Sequence, residues 1–326
     1  MSVTMRRAYL ILPVCIVLVF PAQSFAQAMD YPTKPVTMIV PFPAGGRTDV
    51  IGRVVAQHLS KYLGKPAAVV NKPGASSVLG SMEVAQSKPD GYTFGFFSTS
   101  AVTAQYTVPT PLSLGDFELV AIVNTEPAAI AVQGSAPWKS LKQVVEDARK
   151  QPDHLRIGMI PGASAQIFAA GFARAANVKL INVPFKGDID GAVALAGGHI
   201  EVHVAVPVSY KSLVDAKKVR ILALAAEKSS QTYGNIPTCR DNDVDLVIGA
   251  FHGVYVPKGT PQPIVGRLAE ALEKTTASNE FIDTMHELGA GIEFLKGAEA
   301  KAFLAKQDAT YKAIIEDLGL RVAPAR

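Results

Sequence analysis

An apolar run that ends in a small-residue corner and hands over to a helical pattern recurs along this chain. That repetition restricts the fold more than any other feature. Residues 36–41 (VTMIVP) read as a strand, and over 49–63 the apolar positions Val50, Val54, Val55, Leu59, Tyr62 and Leu63 recur at helical spacing. The unit returns at once: a strand over 67–70, the loop NKPGASS, a helix over 78–86, a PDG turn at 89–91 and a strand over 92–97. Strands alternating with helices imply an α/β fold whose parallel sheet is covered on both faces.

After Leu119 the pattern restarts. Residues 122–123 and 128–132 are extended, 138–150 helical, 155–160 a strand, 163–176 a helix, 180–185 a strand, 189–196 a helix, and 200–206 and 219–226 strands. This middle block holds a complete α/β set and is expected to form a second domain. A third block opens with an apolar strand at Leu246 and continues with helical patterns over 261–273, 279–287 and 298–318, with Pro261 and Ala298 placed at helix starts. Those helices lack strands of their own and are expected to return to the first domain. The division is then 29–124 with 233–326 as a discontinuous first domain and 125–232 as the second, with two chain crossings and a cleft between them.

Residues 1–28 are expected to leave the mature protein. Arg6 and Arg7 precede an apolar stretch from Ala8 to Phe20, and Ala26-Gln27-Ala28 forms a small-residue cleavage site, the pattern of a secretory signal peptide. The apolar core is short for a spanning helix. Removing the two arginines lowers the formal charge from +4 to +2, and with no basic block a nucleic-acid footprint is not expected. Only Cys239 survives processing, so neither an intrachain disulfide nor a cysteine metal cluster is expected.

The corners carry the chemistry. PFPAGGRTD at 41–49 has neither a Walker nor a dinucleotide-binding glycine pattern. Gly45 and Gly46 let the backbone turn and expose N–H groups just before a helix, where a carboxylate is attracted. Asp49 has two readings, a helix cap or an acceptor for a ligand hydroxyl or amine. Arg47 could clamp a carboxylate or lie on the surface. Ser76 and Ser77 open the next helix. Ser98, Thr99 and Ser100 follow a strand, where α/β proteins commonly hold ligands. Ala163, Ser164 and Gln166 stand at another strand-to-helix corner, as does VPFKGDID at 183–190.

Enzyme chemistry has little support: neither a G-x-S-x-G elbow nor an H-E-x-x-H pair occurs. His199 and His203 flank an alternating strand rather than share a helix face. His58 is expected to be exposed, Cys239 to be an unreactive thiol, and His252 either to line the pocket or to pack.

The run from Tyr31 to Phe94, together with VPFKG at 183–187, ILALAAEKS followed by NIPT, and VYVPKGTPQPIVGRL at 254–268, is similar to the solute-binding proteins of the tripartite tricarboxylate transporter system, the Bug or TctC-like receptors. The resemblance spans the mature chain. It implies a type 2 periplasmic binding protein fold of two α/β domains with a ligand cleft between them. It also implies a periplasmic, non-catalytic receptor without cofactor or metal that captures a small carboxylate and delivers it to a membrane permease of one large and one small subunit. A monomer is expected. Carried over by position, the ligand-binding set is Phe42, Ala44, Gly45, Gly46, Arg47, Asp49, Ser76, Ser77, Ser98, Thr99, Ser100, Gly162, Ala163, Ser164, Gln166, Phe185, Lys186, Gly187, Asp188 and His252.

Three positions depart from the family pattern. Arg47 replaces a small residue, MIPGASAQIF lacks the usual glycine–serine run and its following histidine, and position 252 is His. Arg47 is therefore expected either to add a charged anchor or to project away, with residues 204–208 (VAVPV) presenting an apolar wall to an aromatic or alkyl carboxylate. Two other classes stay open. One is a ligand sensor read by a membrane kinase, the other a secreted α/β enzyme.

Overall fold

The computed structural model describes residues 30–160, 164–229 and 233–322. The expected signal peptide lies outside them. From Tyr31 onward the chain forms one unit with two sheets.

The first lobe is laid down by β1 (Val36–Val40), α1 (Arg47–Leu63), β2 (Ala67–Asn71), α2 (Val78–Ala85), β3 (Thr93–Ser98), α3 (Thr99–Thr107) and β4 (Phe117–Pro127). The chain then builds the second lobe from β5 (Ala129–Gln133), α4 (Leu141–Lys150), β6 (Arg156–Met159), α5 (Ser164–Ala176), β7 (Ile181–Pro184), α6 (Asp188–Ala196), β8 (Val202–Ala205), α7 (Lys211–Asp215) and β9 (Val219–Leu224). It returns through β10 (Gly249–Pro257), α8 (Gln262–Thr276), α9 (Asn279–Glu287), β11 (Leu295–Lys296) and α10 (Gly297–Asp317).

The sheets run β11-β4-β10-β3-β1-β2 and β7-β6-β8-β5-β9. Both are mixed, not purely parallel as the alternation suggests. β1 pairs parallel with β2 and β3, but β10 lies antiparallel between β3 and β4. In the second sheet β6 is parallel to β7 and β8, whereas β5 is antiparallel to β8 and β9. The cause is topological. A strand that enters a lobe from the crossing must run opposite to strands whose ends return there. The third-block strand also starts later than its apolar pattern, at Gly249, because Leu246 to Ile248 belong to the crossing itself.

Burial follows the sequence pattern. On α1, Ile51, Val55, Ala56, Leu59 and Leu63 are buried, and the helix ends at Gly64 in the left-handed region. β3, covered on both faces, is apolar nearly throughout, with Phe94, Phe96 and Phe97 at most 3% exposed. α1, α8 and α9 pack together, and α10 packs against α3 and β4 in the first lobe and α5 in the second, so the late helices return as expected. Among the described residues no helix is long and apolar enough to cross a membrane.

The crossing is a short ladder: Ala128 N–H donates to Ile248 O, Ala225 N–H to Ala128 O, and Ile248 N–H to Ala225 O, at 2.7 to 3.0 Å. Register places the corners around it. Gly249 pairs with Pro127, and His252 with Ser98, so the carboxyl ends of β1, β2 and β3 point to the crossing. Ala129 pairs with Ala205, so β6, β7 and β8 end there too. Both lobes present their strand-to-helix corners to the same side.

Candidate functional site

The corner after β1 is pinned from beneath. Asp49, 2% exposed, accepts from Gly45 N–H at 2.8 Å, Asn71 Nδ2 at 2.8 Å and Arg53 Nε at 3.0 Å. Asn71 Nδ2 also donates to Phe42 O at 3.0 Å. These partners hold the Asp49 carboxyl below its ordinary pKa against the opposing effect of burial. Asp49 does not cap α1, which has no side-chain cap, and its carboxylate is taken up by these protein donors. Asp49 shapes the loop by holding Gly45, which sits at φ +82°. Ala44, Gly45 and Gly46 are left exposed above it, and Phe42 half-buried. Close packing sets the height of this corner. A Cβ on Gly80 of α2 would lie 2.7 Å from Lys72 O and 2.8 Å from Pro41 Cβ.

α1 begins at Gly46 without a side-chain cap, so its first N–H groups face the crossing side. Arg47 does not extend among them. Its Nε donates to Glu126 Oε2 at 2.7 Å and its Nη2 to Glu126 Oε1, a bidentate pair. The Glu126 side chain is 1% exposed and that of Arg47 33%. Arg47 therefore ties α1 to the end of β4 just before the crossing. Glu126 was missed from sequence. Its signal was a carboxylate (NTEP), the one charge in the stretch from Leu119 to Val132, and a charge buried there needs a partner.

His252 lies in the lobe interior, 3% exposed, and does not line the cleft. Its ring stacks on Phe96 with centroids 5.5 Å apart. Asn124 gives its amide to Gly291 O, which turns its oxygen to His252 Nδ1 at 2.6 Å. Nδ1 therefore carries the proton, and Nε2 accepts from Thr48 Oγ1 at 3.2 Å. Burial, helped by the Arg47 charge, pulls its pKa down to about 3, so the ring is neutral.

The second corner is strained. Gly74, Ala75, Ser76 and Ser77 all have positive φ, at 137°, 46°, 51° and 82°, a rare run for non-glycine residues. It turns Ser76 outward, exposed, and Ser77 inward, 2% exposed. α2 then starts without a side-chain cap. At the third corner Ser98 caps α3, accepting from Ser100 N–H at 3.3 Å. Thr99 is buried and engaged within the lobe, its hydroxyl accepting from Phe251 N–H at 3.0 Å and donating to Gly249 O at 3.4 Å. Ser98 and Ser100 are thus at the crossing side, and Thr99 is a structural weld.

In the second lobe Gly162 and Ala163 lie outside the described residues. Ser164 opens α5 half-buried, and Gln166, two residues on, is also half-buried. Phe185 N–H donates to Met159 O at 2.9 Å, which brings the corners after β6 and β7 side by side. Lys186 is exposed, and Gly187 starts α6 without a side-chain cap. Burial raises the Asp188 carboxyl above its ordinary pKa, and its charge helps burial hold the Tyr210 phenol far above its ordinary pKa. Asp188 is half-buried, with one carboxylate oxygen buried and without a hydrogen-bond partner among the described residues. The expected apolar wall is also interior. Val204, Ala205 and Val206 are buried, leaving Pro207 and Val208 half-buried. Leu79 and Ile189, in the first turns of α2 and α6, are instead the exposed apolar residues at these corners, at 56% and 72%.

His203 is buried against Tyr210, whose hydroxyl lies 3.0 Å from Nδ1. Cys239 is buried, which pushes its thiol up to about 12, consistent with an unreactive group.

Strand-to-helix corners thus stand at the crossing-side strand ends of each lobe, and α1, α2 and α6 start there without a side-chain cap. Free N–H groups and positive helix ends favour an anion there. Known proteins match this frame closely. A TctC solute-binding protein from Polaromonas superposes with a TM-score of 0.83 at 33% identity, over 88% of this chain and 99% of that one. A protein from R. palustris, Rpa4515 with adipate, superposes at 0.69 with 26% identity, over 90% of this chain and all of that one. A Cupriavidus necator protein, the UPF0065 protein in the gbd 5′ region, is 29% identical over 93% of this chain and 92% of its own length. The family model for the tripartite tricarboxylate transporter family receptor, TctC, matches residues 51–320. The chain belongs to the TctC family of tripartite tricarboxylate transporter receptors, which bind solutes and are not enzymes.

Proposed function

We propose that this receptor works in the periplasm, captures a small aliphatic or aromatic carboxylate between its lobes and passes it to a membrane permease of one large and one small subunit. What supports the reading is that α1, α2 and α6 each start without a side-chain cap, after strands whose carboxyl ends run towards the crossing. Backbone N–H groups and the serine hydroxyls of Ser76, Ser98, Ser100 and Ser164 would hold the carboxylate, without a guanidinium. Arg47 is already neutralised by Glu126, and the exposed Lys186 is the cation nearest the second-lobe corners in sequence. The carbon skeleton would lie against Leu79 and Ile189, which are exposed at 56% and 72%.

On this reading the lobes divide at the ladder of residues 128, 225 and 248, which is the hinge, and not near 124–125 and 232–233, because residues 237–239 still pair with β9 of the second lobe. A ligand touching corners of both lobes favours the closed arrangement by its differential affinity for it. The adipate in the R. palustris relative supports a linear dicarboxylate as one candidate. The test is a thermal-shift and calorimetric screen of the ligand-stripped mature protein against linear dicarboxylates, hydroxy acids and aromatic monocarboxylates. A selective rise in Tm for one class is expected. No response to any acid, with neutral solutes stabilising instead, would overturn the carboxylate reading.

A further inference from the structure

The first lobe contains a second cavity that the carboxylate reading does not use. It measures about 390 Å³ and lies between the sheet and the α2, α3 and α10 layer, with Val78, Phe97, Leu114, Phe117, Tyr255 and Leu304 on its wall. Packed interiors rarely leave voids much larger than a water, and this volume falls in the range of small-molecule sites. It reaches away from the crossing: Phe117 opens β4 opposite Pro257, at the strand ends remote from the hinge.

The polar groups around it define an occupant. Lys301 Nζ pairs with Glu118 at 2.8 Å. Asp308 accepts from Gln105 Nε2 at 2.7 Å and the Tyr106 hydroxyl at 2.8 Å. The Tyr255 hydroxyl donates to Ser81 at 3.1 Å. Ser77 is different. It lines the same cavity, is 2% exposed, and its hydroxyl has no hydrogen-bond partner among the described residues. A buried hydroxyl without a partner is costly, and the left-handed turn at 74–77 is what points it inward.

From this juxtaposition of an apolar cavity, compensated charges and one unpartnered buried hydroxyl, we propose that the cavity binds an uncharged, mainly apolar small molecule whose single hydrogen-bonding group meets Ser77. A carboxylate is disfavoured, because the lining offers it no unpaired cation.

Benzyl alcohol, with a ring and one hydroxyl, is a suitable probe in an amide and methyl NMR titration of the mature protein, with ethylbenzene and benzoate as comparators. Saturable shifts at Val78, Phe97 and Leu304 are expected for benzyl alcohol. Ala305→Trp, an exposed position at the cavity edge, is expected to weaken it by about tenfold or more by filling the entrance. Ser77→Ala is expected to weaken benzyl alcohol while leaving ethylbenzene unchanged. Ala101→Leu fills the cavity from α3 should the tryptophan variant misfold. The proposal is overturned if no saturable shifts occur at the lining, if both filling variants bind as the wild type does, or if benzoate binds at these residues more tightly than the alcohol.

Discussion

Replacing Arg47 with methionine separates an anchoring role from a structural one. The guanidinium makes two hydrogen bonds to Glu126, whose side chain is 1% exposed, so the variant leaves a carboxylate buried without its partner. Breaking a buried pair on one side costs about 3–5 kcal/mol. Arg47 itself is one-third exposed, so water screens part of the interaction and a reduced cost of roughly 2–4 kcal/mol is the better figure. For a protein of this size that corresponds to a Tm fall of roughly 4–15 °C. The double variant Arg47→Met with Glu126→Gln should recover much of the loss, because no buried charge remains. Urea unfolding followed through the single tryptophan, Trp138, reads the stability of all three proteins, and titration with the best carboxylate reads affinity. Stability should fall in Arg47→Met while affinity changes less than about threefold, below 1 kcal/mol. A variant as stable as the wild type that has lost affinity by about a hundredfold would refute the reasoning and make Arg47 the anchor.

Other consequences follow from buried polar groups and close packing. Burial pulls His203 down to about 4 and His252 to about 3, against about 6.5 when unfolded. The unfolded chain therefore binds more protons below that value. Stability should be level above pH 6.5 and fall from there towards pH 4, with a slope approaching about 2.7 kcal/mol per pH unit where both contribute. A urea midpoint that stays flat between pH 6.5 and 4.5 would contradict this, and His203→Asn should halve the slope. Thr99→Val keeps the shape but strands the Phe251 N–H, at a cost of about 1–3 kcal/mol measured by the same unfolding. Gly80→Ala drives a methyl into Lys72 O and Pro41 and should cost about 1–3 kcal/mol. It should also weaken ligand binding, since it displaces the corner after β1; unchanged affinity would show that this corner is not part of the site.

The two-lobe α/β plan was legible because it rests on local periodicity, and β1, α1, α4 and α9 fall close to where their patterns lie. Sheet direction was not, since β10 is set antiparallel by where the chain re-enters the first lobe, some 120 residues after leaving it at Pro127. The corners were legible as glycine- and serine-rich junctions, but which side chains face the cleft was not. Asp49, Thr99 and His252 each looked ligand-directed and each is taken up by partners distant in sequence, in Asn71, Gly249 and Asn124. Glu126 and Ser77 show the same limit from the other side. Burial of a charge depends on its partner, and the inward turn of Ser77 depends on a backbone strain that composition does not reveal.

The central claim is that a carboxylate bridges the two lobes through backbone N–H groups at uncapped helix starts. Amide NMR of the ligand-stripped mature protein, titrated with the acid that most raises Tm, tests it most directly. The account predicts downfield shifts of Arg47 and Thr48 at α1 and of Ile189 at α6, all saturating together with one affinity. Shifts confined to one lobe, or a carboxylate that moves none of these amides, would contradict it.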